Sequence, residues 1–398
     1  MIRTTRRQAA TRRQTEGYGN RAMKKLAIIG ASYLQEPLIQ NAKSLGIETH
    51  VFAWAADDVG EKSADFFYPL SITEKDAILE ECRRIGIDGI CSIASDLAVG
   101  TVNYVASAMG LVGNSLESSS ISTNKHLMKE AFYAADVPTP MSRQVESVND
   151  IDISSLSYPI IVKPVDRSGS RGITELFSAD GLAEAIERAK SYGFIKKALV
   201  EEFATGQEYS VECISWEGKH DLLAVTRKYT TGTPNFIETG HIEPSGLDPV
   251  SVERIRDVVF HALDSLRICY GASHSELKID DSGNIKIIEI GARGGGDCIC
   301  SSLVELSTGI DFVKAIIDVA LGIQPDTTPK YNKAAAIRYI MDRSDLDAYA
   351  VLKRDHPEYI VEADIPEDIE GAVTDSSSRH GYYIMQADSE EQLLLHIP

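Results

Sequence analysis

Short apolar runs alternate with longer amphipathic runs over the first hundred residues after Met23. Runs at 26–29, 49–54 and 89–93 predict strands, and the segments between and after them predict helices, at 38–44, 75–85 and 97–109. Strands that alternate with helices are typical of a parallel sheet covered on both faces. The pattern therefore predicts an α/β domain with a Rossmann-like order over residues 23–117.

The first turn of this region argues against a dinucleotide cofactor. It reads Gly30-Ala31-Ser32-Tyr33 and lacks the second and third glycines of the GxGxxG pattern. A dehydrogenase is therefore disfavoured, and we expect the region to be structural or to bind substrate.

The pattern is less regular after residue 117. Serine-rich residues 115–122 predict a linker before a helix at 125–134, which Thr123 or Asn124 can cap. The polar stretch 229–244 predicts a long loop, and loops of that length are commonly functional. Residues after 326 predict short strands and turns. Between these landmarks, strands are predicted at 158–164, 173–177 and 198–203, and a helix at 180–192.

Two glutamates flank a short turn in a predicted hairpin. If Asp280 pairs with Ile285 near the turn, Glu276 lies directly across from Glu289. Directly opposed side chains have Cβ atoms about 5 Å apart, and like charges there repel. A hard divalent cation such as Mg²⁺, holding substrate phosphates, would relieve the repulsion. The alternative is a solvated cross-strand pair.

A glycine-rich, cationic loop follows the second glutamate. It reads Gly291-Ala292-Arg293-Gly294-Gly295-Gly296, and its flexible backbone could approach an anion closely. A second glycine- and serine-containing loop at 166–172 follows an apolar strand that ends in Lys163. Lysine suits phosphate oxygens as a compact point charge. The two loops therefore indicate a phosphate-binding site.

Composition narrows the class of protein. A chain of 398 residues predicts two or three domains, and a formal charge of -19 argues against nucleic acid or an anionic membrane as the main partner. Residues 1–22 are basic and nearly free of apolar side chains, so we expect a disordered extension. The cysteines show no CxxC pair, which favours a reducing cytoplasm. They are Cys82, Cys91, Cys213, Cys269, Cys298 and Cys300.

The order of the charged motifs resembles the ATP-grasp superfamily, specifically its carboxylate–amine ligases, over residues 23–325. The resemblance implies an ATP-grasp fold of two α+β subdomains that clasp ATP after the Rossmann-like domain. It implies an ATP-grasp domain at 118–325 with a lid at 130–200, and a small mixed α/β region at 326–398. ATP with Mg²⁺ or Mn²⁺ would be the cofactors.

The resemblance also implies roles for nucleotide-binding residues. Lys125 and Lys163 would contact phosphates, and a lid loop would close over ATP with Ser168, Gly169, Ser170 and Gly172. The segment Glu201, Glu202, Phe203 and Ala204 would be the hinge, where backbone groups of Glu202 and Ala204 read the adenine edge. Glu208 would accept hydrogen bonds from the ribose hydroxyls.

At the reacting end, the resemblance makes Glu276 and Glu289 the metal ligands. Glu289 and Arg293 would be catalytic, with Arg293 facing the acceptor carboxylate and the charge that develops during phosphoryl transfer. The family often has asparagine where this chain has Gly291, so one metal ligand of the family pattern is missing or replaced by water, and the resemblance leaves open whether one or two ions bind. Further substrate contacts are predicted at Glu238, His241, Gly294 and Gly295, with Arg227 and Lys228 of similar standing.

The expected activity is an ADP-forming ligase that joins a carboxylate to an amine through an acyl phosphate, with amino-acid-like substrates. Alternatives are a carboxylase or formyltransferase of purine synthesis, a biotin-carboxylase-like step, and a non-catalytic ATP-binding regulator. His274 is expected to be structural, and Arg379 either reaches the site or caps a turn. A homodimer is plausible from the resemblance alone.

Overall fold

The computed structural model describes residues 23–152, 154, 156–167, 169, 171–233 and 236–397. The basic extension at 1–22 and the lid residues Ser168 and Ser170 lie outside the described residues. Within the described part, the strands form three sheets, two of four strands and one of eight.

The first sheet is parallel, with strand order β3-β2-β1-β4. Its strands read as continuous apolar runs because helices cover both faces, and Leu26 and Ile28 are fully buried. The predicted alternation of strands and helices is present, and its classification as a Rossmann-like domain stays a prediction. The elements are β1 Lys25–Ile29, α1 Glu36–Ser44, β2 Glu48–Phe52, α2 Val59–Ser63, β3 Phe66–Tyr68, α3 Lys75–Ile85, β4 Gly89–Cys91 and α4 Asp96–Met109.

The serine-rich stretch expected to be a linker is a helix, α5, Leu116–Thr123. Ser115 Oγ accepts a hydrogen bond of 3.0 Å from the Ser118 N–H and so caps its start. Ser118 and Ser122 are buried, because small side chains allow close packing. Composition alone could not distinguish this helix from a linker, since serine is common both in linkers and at the capping positions of helices. Helix α6, Lys125–Ala134, begins after Asn124, whose side chain accepts from two backbone N–H groups.

The second sheet is antiparallel, with strand order β5-β8-β6-β7, and lies within the predicted lid region. Helix α7 packs on one face around Ile186, which is fully buried. The elements of this layer are β5 Ser142–Val145, β6 Ile160–Pro164, β7 Thr174–Leu176, α7 Leu182–Tyr192 and β8 Ala198–Glu202.

The third sheet has eight strands in the order β13-β12-β9-β10-β11-β14-β16-β15. The strands after residue 326 continue this sheet, so the sheet itself has no boundary there. Its strands are β9 Gln207–Trp216, β10 Lys219–Thr230, β11 Glu238–Glu243, β12 Gly271–Ile279, β13 Ile285–Gly291, β14 Ala334–Ile340, β15 Ile360–Asp364 and β16 Gly381–Ala387. The helices are α8 Pro249–Ser265, a π-helix at Ile299–Leu303, α9 Val304–Thr308, α10 Phe312–Ala320, α11 Arg343–Asp355 and α12 Glu390–Leu394.

The prediction of one long loop at 229–244 is wrong. Tyr229 and Thr230 end strand β10, and Glu238–Glu243 form strand β11, which pairs with β10 on one side and β14 on the other. Its side chains are polar even where they are buried, as at His241 and Glu243, so hydrophobicity did not mark it as a strand.

The hairpin of β12 and β13 places Glu276 opposite Glu289, as predicted. The register near the turn is different, because Ile279 and not Asp280 pairs with Ile285. Asp280 instead closes the turn, where its Oδ1 accepts from the N–H groups of Ser282 and Asn284, both at 2.9 Å. An irregularity beside Glu276 shifts the register by one residue and restores the expected pair.

No helix in the described part of the chain is long and apolar enough to cross a membrane.

Glu243 is a buried carboxyl group in the large sheet. The hydroxyls of Thr226 and Ser307 donate to it at 2.7 and 2.8 Å. Burial raises the pKa of Glu243 to about 7, and the two hydrogen bonds only partly oppose this.

We therefore predict that Glu243 makes stability depend on pH. An unfolded glutamate has a pKa of about 4.3, so between about pH 4.5 and pH 7 the folded chain keeps a proton that the unfolded chain releases. The free energy of unfolding should fall as pH rises through this window, by up to about 3 kcal/mol, and level off above it. The free energy of unfolding of Glu243→Gln, measured in urea at several pH values, should not show this decrease. Identical pH profiles for both proteins would contradict the prediction.

Candidate active site

A cleft of about 260 Å³ lies between the second sheet and the large sheet. Among the described residues that line it, seven basic side chains outnumber six acidic ones, although the chain as a whole carries a charge of -19. The cleft is therefore the place where an anionic ligand can be held. Its charged walls are Lys125, Lys163, Arg167, Arg171, Lys228, Lys278, Arg293, Glu201, Glu208, Glu238, Glu276, Glu289 and Asp297.

The opposed glutamates are each paired with a lysine of the protein. Lys125 Nζ lies 2.8 Å from Glu289 Oε2, and Lys228 Nζ lies 2.6 Å from Glu276 Oε1. The expected positive charge is thus supplied by the chain itself. Both glutamates remain about a quarter exposed to the cleft.

Lys228 is the central cation of the site, and its importance was underestimated from the sequence. Its Nζ also lies 3.0 Å from Glu208 and 3.8 Å from Glu238, so three carboxylates surround it. Burial acts to lower its pKa, but these carboxylates hold the pKa of Lys228 well above its usual value. Lys228 therefore links the predicted ribose contact, Glu208, to the predicted metal ligand, Glu276.

Lys163 is held by Glu201, whose carboxylate lies between two lysines. Lys163 Nζ is 2.8 Å from Oε1 and Lys129 Nζ is 2.9 Å from Oε2. Burial lowers the pKa of Lys129 to about 8, although Glu201 opposes the change. Lys129 was missed from the sequence, because it looks like one more polar residue of an amphipathic helix. The Glu201 side chain thus orients a phosphate-binding candidate.

The hinge segment lies at one end of the cleft. Phe203 and Ala204 line it, and Lys278 Nζ lies 4.6 Å from the centre of the Phe203 ring. The Glu202 N–H donates to Met141 O at 2.9 Å, so it is engaged in the second sheet. An adenine contact by Glu202 would have to use its carbonyl oxygen.

The glycine loop of the lid contributes Gly169 to the cleft wall. Gly172 instead packs on Tyr192, where an added Cβ would lie 3.0 Å from that side chain, and its φ of 72° favours glycine. Arg167 and Arg171 also line the cleft. The sequence analysis identified the loop at 166–172 as a candidate phosphate-binding loop but did not identify either arginine within it.

Arg293 forms a bidentate ion pair with Asp96, the first residue of helix α4. The Arg293 Nε–Asp96 Oδ1 and Nη2–Oδ2 distances are 2.9 and 3.1 Å. Burial acts to raise the pKa of Asp96, but Arg293 holds it below its usual value. The guanidinium keeps further N–H groups on Nη1 and Nη2, since each carries two hydrogens.

Gly291 is explained by the same ion pair. A Cβ atom at this position would lie 2.8 Å from Asp96 Oδ1 and 3.1 Å from Arg293 Cζ. The space that a side chain at 291 would fill is therefore occupied by the carboxylate of Asp96. Glycine at position 291 therefore leaves room for Asp96, which belongs to a helix that covers the first sheet, to pair with Arg293.

Gly294 and Gly295 do not line the cleft, so the geometry does not support their predicted substrate contacts. An added Cβ at Gly294 would overlap Cys300, and one at Gly295 would lie 2.8 Å from both Glu212 and His274. The Gly295 N–H donates to Glu212 at 3.0 Å. Both glycines are buried and permit close packing beneath the site.

His274 lies on the cleft wall between two carboxylates. It forms a short hydrogen bond with Glu212, and its Nε2 lies 3.5 Å from Glu276. Burial acts to lower its pKa, but Glu212 and Glu276 raise the pKa of His274 to about 9. The histidine expected to be structural therefore adds a positive charge beside the metal-ligand candidates.

The other end of the cleft is formed partly by the C-terminal region. Arg379 forms a bidentate ion pair with Asp297, at 2.6 and 3.1 Å, and its Cζ lies 3.5 Å from the centre of the Tyr339 ring. His241 Nε2 lies 3.3 Å from Asp297. Arg379 thus contacts a residue that lines the cleft, and its Nε also donates to Ser376 O at 2.8 Å across a turn, so both alternatives that the sequence left open apply.

The donor set at Glu276 and Glu289 suits a magnesium ion that also binds phosphate oxygens. Two carboxylates with few other protein ligands are typical of such sites. Among the described residues, no group of three or more histidine, cysteine or acidic side chains is arranged to hold a metal. The two carboxylates would hold an ion that takes its other ligands from phosphate oxygens and water.

Residues 156–301 match the ATP-grasp domain family. Alanine–anticapsin ligase of Bacillus subtilis is 24% identical over 326 residues, which cover 72% of this chain and 68% of that protein. The chain spans 58–68% of the length of the first curated relatives it matches.

Solved structures share the fold over nearly the whole chain. L-amino acid ligase from Bacillus licheniformis has a TM-score of 0.80 at 22% identity, with 94% of this chain and 96% of that chain covered. N5-carboxyaminoimidazole synthetase from Staphylococcus aureus complexed with ADP has a TM-score of 0.75 at 17% identity, with 94% and 95% covered. The fold is therefore a mixed α/β ATP-grasp fold, and the chain is similar to ligases such as alanine–anticapsin ligase and L-amino acid ligase.

We predict that Gly291→Ala destabilises the chain through Asp96. The new Cβ would displace the carboxylate from Arg293, at a cost of about 1–3 kcal/mol. In an Asp96→Ala background the same change should cost less than about 1 kcal/mol, because the nearest obstruction is gone and the Arg293 side chain, no longer held by Asp96, can move away. Free energies of unfolding in urea complete the double-mutant cycle.

Gly100→Ala is the matched control, since an added Cβ there meets nothing within 4 Å. This exposed helical position should gain about 0.5–1 kcal/mol. Equal costs of Gly291→Ala in both backgrounds would show that Asp96 is not the reason for the glycine.

Proposed function

We propose that this chain is an ATP-dependent ligase that joins a small-molecule carboxylate to an amine, through an acyl phosphate, and releases ADP and phosphate. The single observation that carries the proposal is the cleft, in which the opposed Glu276 and Glu289 face Lys125, Lys228 and Arg293. Amino-acid-like substrates, rather than nucleic acid or a membrane, are the partners we propose.

The nucleotide would lie along the cleft from the hinge to the glutamate pair. Ala204 and Phe203 offer an apolar surface for the adenine, and Glu208 faces the cleft for the ribose hydroxyls. Lys125, Lys163 and Lys228 line the central part, where phosphate oxygens would exchange with the carboxylates that now hold these lysines. Gly169 would lie over the phosphates as part of the lid.

Glu276 and Glu289 would hold magnesium against the phosphates. When bound, the ion supplies charge neutralisation for phosphoryl transfer. The chain's own groups then position the reactants: Arg293 presents its remaining N–H groups to the acceptor carboxylate, and closure of the cleft excludes water. Asp96 fixes the plane of the Arg293 guanidinium through two hydrogen bonds.

The reaction balances without a protein nucleophile. A carboxylate oxygen of the acid takes the γ-phosphoryl group, and the bond to the β-phosphate oxygen breaks to leave ADP. The amine then attacks the acyl carbon, the bond to phosphate breaks, and the amine's proton is released with the phosphate. Catalysis therefore rests on positioning and on neutralising charge as it develops.

A carboxylase or formyltransferase is the second candidate function. The likeness to N5-carboxyaminoimidazole synthetase favours it, although at 17% identity that likeness concerns the fold alone. Bicarbonate dependence would separate the two, because only the carboxylation route requires it.

We predict that ATP turnover in the presence of a matching amino acid yields ADP and phosphate. A panel of amino acids should be screened with hydroxylamine as the amine, because it traps an acyl phosphate as a coloured hydroxamate. Hydroxamate should form in proportion to ADP. Formation of AMP and pyrophosphate, or ADP only when bicarbonate is added, would overturn the ligase proposal.

We also predict that Glu289→Gln lowers ATP turnover by at least about 100-fold, the size of effect seen when one charge-stabilising group is removed. Nucleotide binding, measured by calorimetry, should persist, since Lys163 and the hinge are unchanged. Glu358→Gln, at a side chain 62% exposed on the surface, is the control and should retain full activity. Unchanged turnover in Glu289→Gln would instead favour a non-catalytic ATP-binding regulator.

A further inference from the structure

Lys129 is a buried cation that lies behind the wall of the cleft. Its side chain is only 1% exposed, and it is not among the described residues that line the cleft. A charge is costly to bury unless it is paired and hydrogen-bonded, so the groups around Lys129 indicate what it does. These groups belong to the large sheet and to the second sheet.

Contacts with the large sheet fix the position of the Lys129 ammonium group. The Thr139 hydroxyl accepts from Lys129 Nζ at 2.5 Å and donates to Ile287 O at 2.8 Å. Ile287 belongs to β13, the edge strand of the large sheet, and its N–H donates to Pro138 O at 2.8 Å. Lys129 is therefore anchored beside the point where the chain leaves the large sheet and enters the second sheet.

The Glu201 carboxylate joins this fixed cation to the second sheet. Lys129 Nζ lies 2.9 Å from Glu201 Oε2, and Lys163 Nζ lies 2.8 Å from Oε1. Glu201 and Lys163 belong to the paired strands β8 and β6, whereas Lys129 belongs to helix α6. Two lysines thus share one carboxylate, and the group carries a surplus positive charge. Such a surplus suits the binding of an anion.

The two lysines of this group differ in access to the cleft. Among the described residues that line it are Lys163 and Glu201, so Lys163 is the lysine that a phosphate can reach. If Lys163 turned to a phosphate and Glu201 had no other cation, a carboxylate only 4% exposed would be left unpaired, which is costly. Lys129 keeps Glu201 paired and so lowers the cost of releasing Lys163.

We propose that Lys129 is a positioning residue for nucleotide binding: it holds Glu201 when Lys163 transfers from that carboxylate to a phosphate. The inference rests on the phosphate contact that the proposed function gives to Lys163, and it does not depend on the identity of the acid or the amine. Lys129 itself contacts no part of the nucleotide and acts through Glu201.

The first test is Lys129→Met, with binding of the magnesium complex of AMP-PNP measured by calorimetry. At pH 7 the Lys129 ammonium group of the wild-type chain is largely charged, since its pKa is about 8. The variant leaves Lys163 as the one cation beside Glu201, so the Kd for the nucleotide should rise by about 10- to 100-fold. Adenosine has no phosphate, and its Kd, measured by competition, should change less than about threefold. Lys62→Met, at a side chain 65% exposed, is the control.

The second test repeats Lys129→Met in a Glu201→Gln background. Once residue 201 is neutral, Lys163 no longer has to leave a carboxylate, so Lys129→Met should change the Kd for the nucleotide by less than about threefold. The double variant removes both charges of a buried pair together, which proteins tolerate better than the loss of one, so it decides if the single variant does not fold.

Two results would overturn the proposal. One is a further loss of about tenfold or more in the Glu201→Gln background, and the other is an equal loss for adenosine and nucleotide in Lys129→Met. Both tests measure binding, and the hydroxamate assay measures the reaction, so the two proposals can fail separately. Binding that follows these expectations, with no ADP formed from any acid, would defeat the ligase proposal alone.

Discussion

The pairing of each cleft carboxylate with a cation of the chain is the interaction on which the site depends. Isolated charges are costly to bury, but a paired and hydrogen-bonded charge can remain in a partly closed cleft. Lys125 with Glu289 and Lys228 with Glu276 are such pairs. The proposed nucleotide with its metal would offer each group a new partner of the correct sign, phosphate for lysine and metal for carboxylate. Binding can then exchange partners without leaving a buried charge unpaired.

The same pairs join separate layers of the fold. Lys125 begins helix α6 and Glu289 belongs to the large sheet, while Asp96 begins α4 and Arg293 follows β13. Arg379 approaches from the C-terminal strands. Because the reacting end is assembled from these layers, its geometry depends on how they pack. Gly291 contributes to this packing without lining the cleft, because it leaves room for the Asp96 carboxylate beside Arg293.

The sequence predicted contacts between residues that are close along the chain. It did not predict contacts that depend on the order of the strands in the sheet. The pairing of Glu276 with Glu289 was accessible because a hairpin joins them. The ring of carboxylates around Lys228 was not, since it requires β9 to lie between β10 and β12 in the sheet. The Arg293–Asp96 pair spans 197 residues, and no periodicity reports such a contact. Strand β11 escaped prediction because buried polar residues replace the alternation that marks a strand.

Gly291 shows how a departure from a family pattern can be misread. From the sequence, glycine in place of asparagine means a lost metal ligand, and so favours a protein that binds ATP without using it. In the structure, Asp96 occupies the space that a side chain at 291 would fill, and it orients the arginine proposed to bind the acid. With glycine in place of asparagine, the Asp96 carboxylate from a different layer of the fold takes the space of the asparagine side chain. The glycine therefore does not by itself argue against catalysis.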